Sequence, residues 1–522
     1  MESEAAARVA KSSAYLLIGY LGSNVIALAA FTIITRAISK HEMGLATYVL
    51  LISSLSRVLC DVGLSTSIIR FISEARGRGQ DYTPFMKASL AGKLVFATAY
   101  SLALVAIAGF LLPPELWPFS PLFLITVLTV ITGNLFAILS SMLIGLEVMK
   151  GVCAASLVST AIGQGAAALL VLHGWGVVGY VMGWLLGNTS GVLLTGAFLL
   201  PALGQSRPPS HVGEHVGLLK TLGGLLAFSW PIFIRDLATY LFNRFDILTV
   251  MALGTTEEVG VYSVALKAYV VITMIPLNIG LALFPYYGEH YGREELEAIR
   301  SSTLLVSRFM ALFFTPVAMG LAAVAEPVIL VFAGRKYLDS APVLALISFF
   351  AALTALTPML GYLLITHERT KAFMAANLAA ISCSLALAPI FSAWLGPLLG
   401  IALMKGLALT FLLAFYLALT RELADIDGRA MLKGLAGSVL MAVVVFYVQV
   451  WLGRAIFLPI YVLLGALIYA AWLRVVRGLS HEDVLMISHV FPLKLRGLVV
   501  WVGRLVAPPP ASSSNRGGRA SS

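Results

Sequence analysis

Nine ionisable residues stand deep inside the long apolar runs of this chain: Arg57 and Asp61, Lys93, then Arg235, Asp236, Arg244 and Asp246, then Lys267 and Lys405. Six are bases and three are acids. An ionised side chain in hydrocarbon costs at least about 2.5–3.5 kcal/mol, so it normally faces a partner or a wet cavity. An excess of cations around such a cavity attracts an anion. Arg57, Lys93, Arg235, Arg244, Lys267 and Lys405 are thus the candidate substrate-binding residues. Asp61, Asp236 and Asp246 are the candidates for charge pairing or ion coupling.

Each has a local alternative. Arg57 and Asp61 are four apart, share a helix face and could neutralise each other. Asp236, Tyr240 and Asn243 also share a face, which a polar seam between helices would explain. Lys93, Lys267 and Lys405 could reach an interface along their stems. Enzymatic chemistry finds no support. There is no G-x-x-x-x-G-K-[ST] loop to cradle a nucleotide, no G-x-S-x-G elbow and no metal-ligand spacing of His and acids. Cys60, Cys153 and Cys383 lie singly in apolar segments. No cofactor and no metal is expected, and the chain reads as a transporter.

The elements that position these charges are spanning helices. Apolar residues make up 59% of 522 and charged residues 11%, against about 25% charged in an ordinary globular chain. Apolar segments at roughly 12–38, 43–73, 83–112, 119–146, 150–173, 175–200, 220–253, 258–288, 301–333, 338–366, 370–395, 397–420, 430–452 and 455–477 reach the ~20 residues that cross ~30 Å of lipid. The fold class is therefore all-α integral membrane protein, with about fourteen spans. The net charge of +10 does not point to nucleic acid, because the bases lie between the apolar runs. With the N-terminus inside, the inner gaps and termini hold 23 Lys and Arg and the outer gaps five. Both termini are expected in the cytoplasm, in the cell membrane.

A short repeat divides the chain. Glu42-Met43-Gly44-Leu45 opens the second span, and Glu258-Val259-Gly260-Val261 opens the eighth, 216 residues later. The offset equals six spans, so both copies keep one orientation, as in a parallel repeat. The expected division is an N-lobe over 1–215, a C-lobe over 216–425 and two appended helices over 426–478. Two six-helix lobes would enclose a central cavity. Residues 479–522 are expected to form an amphipathic helix on the membrane surface and a disordered tail.

Several stretches resemble the polysaccharide-type flippases, which share a superfamily with multidrug extruders and peptidoglycan-lipid flippases. They are Arg36-Ala37-Ile38-Ser39-Lys40-His41-Glu42-Met43-Gly44-Leu45, Asp61-Val62-Gly63-Leu64-Ser65, Phe228-Ser229-Trp230-Pro231, Asn243-Arg244-Phe245-Asp246 and Gly334-Arg335-Lys336-Tyr337. The resemblance implies a flippase for an oligosaccharide linked to a polyprenyl phosphate or pyrophosphate, working by alternating access. Arg presents a planar fork to phosphate oxygens and Lys a point charge. Its partners would be the lipid-linked glycan, the bilayer, a coupling H+ or Na+, and glycan-assembly enzymes. Two alternatives stay open: an ion-coupled multidrug extruder of the same superfamily, and a non-transporting membrane scaffold.

Overall fold

The computed structural model describes residues 2–204 and 217–478. The surface helix expected beyond 478, and most of the polar gap before the eighth span, lie outside the described residues. Every described element is helical.

Two compact units divide the chain, Met1–Val264 with Ala333–Tyr337, and Ala265–Phe332 with Leu338 onward. The first carries α1 (Glu2–Ala37), α2 (Lys40–Leu59), α3 (Leu64–Gly77), α4 (Thr83–Leu111), α5 (Pro121–Gly145), α6 (Met149–Leu170), α7 (Gly176–Gly204), α8 (Leu218–Leu253) and the start of α9 (Thr256–Gly292). The rest of α9 belongs to the second unit. There follow α10 (Leu296–Phe309), α11 (Thr315–Ala323), α12 (Ala325–Phe332), α13 (Ser340–Leu353), α14 (Thr357–Thr366), α15 (Thr370–Thr420), α16 (Gly428–Leu452) and α17 (Leu458–Val475).

The expected fourteen spans agree with these helices. Ten continuous stretches among the described residues are long and apolar enough to cross a membrane. Two of the ten are each a pair of spans joined through a bend. One bends at Gly174 and Gly176, where φ is 86° and 52°. The other bends at Gly396, where φ is 77°. Helices α13 and α14, bent by 45°, form a further span, and the apolar stretch Gly22–Ala37 completes the set.

One expected span is broken. The run 43–73 reads as continuous, yet α2 stops at Leu59 and α3 starts at Leu64. Between them Val62 has φ 44° and Gly63 φ 75°. Glycine fits there for two reasons. It takes the left-handed conformation without penalty, and a Cβ on Gly63 would lie 2.7 Å from the Ser229 carbonyl oxygen of α8. A break at this depth strands backbone groups unless protein satisfies them. Asp61 supplies part of that, accepting from Ser65 N at 3.2 Å and Ser65 Oγ at 2.5 Å in the first turn of α3. Its negative charge also suits a helix N-terminus.

The repeated motif has a structural counterpart. Ser39 and Glu42 cap α2 reciprocally, with Ser39 N donating to Glu42 Oε2 at 2.8 Å and Glu42 N to Ser39 Oγ at 3.2 Å. Thr255 and Glu258 do the same for α9, at 2.7 and 3.3 Å. Just inside the caps the two helices touch. A Cβ on Gly44 would lie 1.9 Å from the Thr256 carbonyl oxygen, and one on Gly260 2.2 Å from that of Lys40. The turn Arg335–Tyr337 packs on the same corner. Lys336 Nζ donates to the carbonyls of Arg36 and Ile38, and Tyr337 Oη to that of Ser39 at 3.0 Å. Burial pushes the Lys336 ammonium below the usual lysine range, with Glu42 pulling the other way.

Candidate substrate site

Asp61 faces Lys93, not Arg57. Lys93 on α4 is buried, and its Nζ donates to Asp61 Oδ1, the same oxygen that takes the Ser65 hydroxyl. The mutual neutralisation of Arg57 and Asp61 that their spacing allows is therefore not what forms. Breaking the helix at 60–63 turns Asp61 towards α4 and leaves Arg57 behind on α2.

Arg57, in the last turn of α2, is exposed and makes no ion pair among the described residues. The ionisable groups acting on it are Arg244 and Tyr240, both on α8. Arg244 is half-buried and likewise has no carboxylate partner among the described residues. Tyr240 ties the two helices together, its Oη 3.0 Å from Ser54 Oγ and 3.2 Å from the Leu51 carbonyl. Two guanidinium groups thus share one neighbourhood inside the spans. Like charges there need water or an anion between them.

A cleft of about 200 Å³ opens beside Arg57 within the first unit, between α2, α5, α6 and α7. Its polar lining includes Ser53, Asn134, Thr160, Gln164 and Asn188, with Trp184 beside them. Asn134 Nδ2 donates to Ser56 Oγ at 3.0 Å and to the Val130 carbonyl at 2.9 Å. Asn134 Oδ1 and Ser53 Oγ are buried with no hydrogen-bond partner in the protein. Small residues let the walls close in. Ser159, Gly163 and Ala167 on α6 face Gly183 and Gly187 on α7, and a Cβ on Gly187 would lie 2.8 Å from the Gly163 Cα. These residues escape a search for charge. Their only sequence signal is the four-residue spacing of Gly183, Gly187 and Gly191 beside amide side chains.

The other candidates are scattered. Arg235 forks onto the adjacent Asp236, with Nε and Nη2 at 2.9 and 2.8 Å from Oδ1, and the pair is exposed. Asp246 is buried on α8 and accepts from Tyr262 Oη at 3.1 Å. In the second unit, Lys267 is exposed on α9, and the Lys405 ammonium lies 5.4 Å from the centre of the Tyr269 ring. No group of three His, Cys or acidic residues fit for a metal occurs among the described residues.

Comparison with known proteins follows the same lines. No curated protein matches the chain. The fold of a lipid II flippase, MurJ, in its inward closed conformation is similar over 88% of this chain and 97% of that one, with TM-score 0.69 and 16% identity. An inward-facing multidrug resistance MATE family transporter of the MOP superfamily is similar over 79% and 98%, with TM-score 0.56 and 15% identity. A MOP superfamily transporter from Pyrococcus furiosus, described by the reversed polarity of its binding pocket, gives 80% and 95%, TM-score 0.52 and 15% identity. In sequence, the MatE family model matches residues 231–390. The model described as polysaccharide biosynthesis protein matches residues 9–291, more than half of the 522. The chain belongs to the polysaccharide biosynthesis protein family and is a multi-pass membrane transporter of that type, not an enzyme.

Proposed function

We propose that this protein flips an oligosaccharide linked to a polyprenyl phosphate or pyrophosphate across the cytoplasmic membrane. The carrier's tail stays in lipid while Arg57 and Arg244 hold its phosphate. Two six-helix lobes alternate access to the lipid-linked glycan, with both termini in the cytoplasm. One observation carries this reading: the Tyr240–Ser54 contact joins α2 to α8, Arg57 and Arg244 each follow that contact by about one helical turn, and neither has a carboxylate partner among the described residues. A phosphate between them would turn repulsion into two charge-assisted contacts. The family assignment and the fold shared with a lipid II flippase support it.

The MatE match and the fold shared with a multidrug transporter favour a second reading, ion-coupled extrusion of cations. Its demand for an open acid in the first unit sits badly with Asp61, whose carboxylate is engaged by Lys93 and Ser65.

The deciding experiment uses purified protein in liposomes with a synthetic polyprenyl pyrophosphate bearing one labelled monosaccharide. Flipping is followed by access of an impermeant reagent to the label. Arg57→Gln and Arg244→Gln together should abolish flipping in protein that stays monodisperse. Undiminished flipping by that double variant would overturn the reading.

A further inference from the structure

We infer that the cleft between α2, α5, α6 and α7 is a glycosyl subsite, taking the single sugar ring bonded directly to the carrier phosphate. The inference rests on the flippase reading and names the part of the substrate that reading leaves open.

Three observations converge on a sugar. The first is the lining. Ser53, Asn134, Gln164 and Asn188 offer neutral donors and acceptors, and the charged group among the lining residues is Arg57. A cluster of amides and hydroxyls matches a polyhydroxylated ring, whose groups both donate and accept, better than it matches a cation or an apolar drug. Trp184 adds a flat apolar face of the kind on which the C–H side of a pyranose rests.

The second is unsatisfied capacity. Asn134 Oδ1 and Ser53 Oγ are buried without a partner in the protein. A buried polar group that nothing bonds is destabilising. Neither oxygen presents surface to the cleft at rest, so a sugar hydroxyl bonds them only by seating into the wall, where the Asn134 amide nitrogen is fixed by Ser56 and Val130.

The third is size and place. The volume of about 200 Å³ exceeds what a few waters need. It falls below the roughly 300–1,000 Å³ that encloses a drug-sized ligand. That suits one ring held within the cleft. Arg57 lines the cleft and also neighbours Arg244. A ring in the cleft therefore has its anomeric oxygen near the guanidinium pair, which selects the sugar attached to phosphate over those further out.

The test measures binding to purified full-length protein with three probes: N-acetylglucosamine 1-phosphate, free N-acetylglucosamine and inorganic phosphate. The sugar phosphate should bind at least tenfold more tightly than either part. Gln164→Leu and, as a near-isosteric second variant, Thr160→Val should each lower sugar-phosphate affinity towards that of inorganic phosphate, leaving phosphate binding unchanged. Arg57→Gln should lower it towards that of the free sugar. Equal affinity for sugar phosphate and phosphate in the wild type, repeated with glucose and galactose 1-phosphates, would overturn the subsite. So would wild-type discrimination in both cleft variants. Liposome flipping of the carrier judges the function separately, so each can fail without the other.

Discussion

Gly260 stands against Gly44, such that a Cβ on Gly260 would fall 2.8 Å from the Gly44 amide nitrogen and 2.2 Å from the Lys40 carbonyl oxygen. Two copies of one motif, 216 residues apart in sequence, therefore meet as the N-terminal turns of α2 and α9. Side chains cannot be added there without parting the helices. Overpacking of this kind costs about 1–3 kcal/mol. Gly260→Val and Gly44→Val should each lower the melting temperature in detergent by several degrees. Gly109→Ala on α4, where a Cβ meets nothing within 4 Å, should leave it unchanged or slightly raised.

The Lys93–Asp61 pair yields a second prediction. Removing one partner of a buried ion pair leaves an uncompensated charge, at a cost of about 3–5 kcal/mol. Lys93→Met should sharply reduce the yield of folded protein. Lys93→Met with Asp61→Asn should recover much of it, because neither charge then remains. A thermal-stability cycle over the four proteins checks the coupling, and additive effects would show that the two residues do not depend on each other.

Outside the membrane, His41 Nε2 lies 2.9 Å from Glu115 Oε1. The Glu115 carboxyl is held below the usual glutamate range, first by its own backbone amide and then by His41, with desolvation opposing. A depressed carboxylate stabilises the fold above its unfolded value of about 4.3 and loses that contribution as pH falls through the folded value. Both side chains are over two-fifths exposed, so the effect is small. The melting-temperature difference between wild type and Glu115→Gln should be present at about pH 5 and fade as pH drops below the ordinary glutamate value through the depressed one.

Arg57 and Arg244 should not tolerate lysine equally with arginine. A bidentate fork onto phosphate is lost when a point charge replaces it. Hydrogen bonds to charged groups contribute about 1.5–3 kcal/mol, or roughly tenfold to a hundredfold in affinity. In the liposome assay, Arg244→Lys should fall between wild type and Arg244→Gln in flipping rate at limiting substrate. Equal rates for the lysine and glutamine variants would show that charge at this position does not matter.

The spans were legible because hydropathy and the distribution of Lys and Arg both register how much hydrocarbon a segment meets. The break at 60–63 was not. Val62 and Leu64 are as apolar as their neighbours, so a hydropathy reading passes over Gly63. What breaks the helix is tertiary, namely the Ser229 carbonyl of α8 and the Lys93 ammonium of α4. That hidden turn also redirected Asp61 away from Arg57. Helical spacing alone would have joined the two. The cleft was missed for a related reason: Asn134, Gln164 and Asn188 carry no charge, and a charge census does not see amides. The meeting of Gly44 with Gly260 could be suspected from the repeat, since a glycine kept in both copies leaves room for a neighbour.

The distance in sequence between Asp61 and Lys93, 32 residues, bears on how the chain is made. Asp61 leaves the ribosome first, and alone in lipid it would be a costly group without a partner. Its counter-ion arrives only with α4. The pair that holds the bend is therefore complete only once the first three helices after α1 have been made.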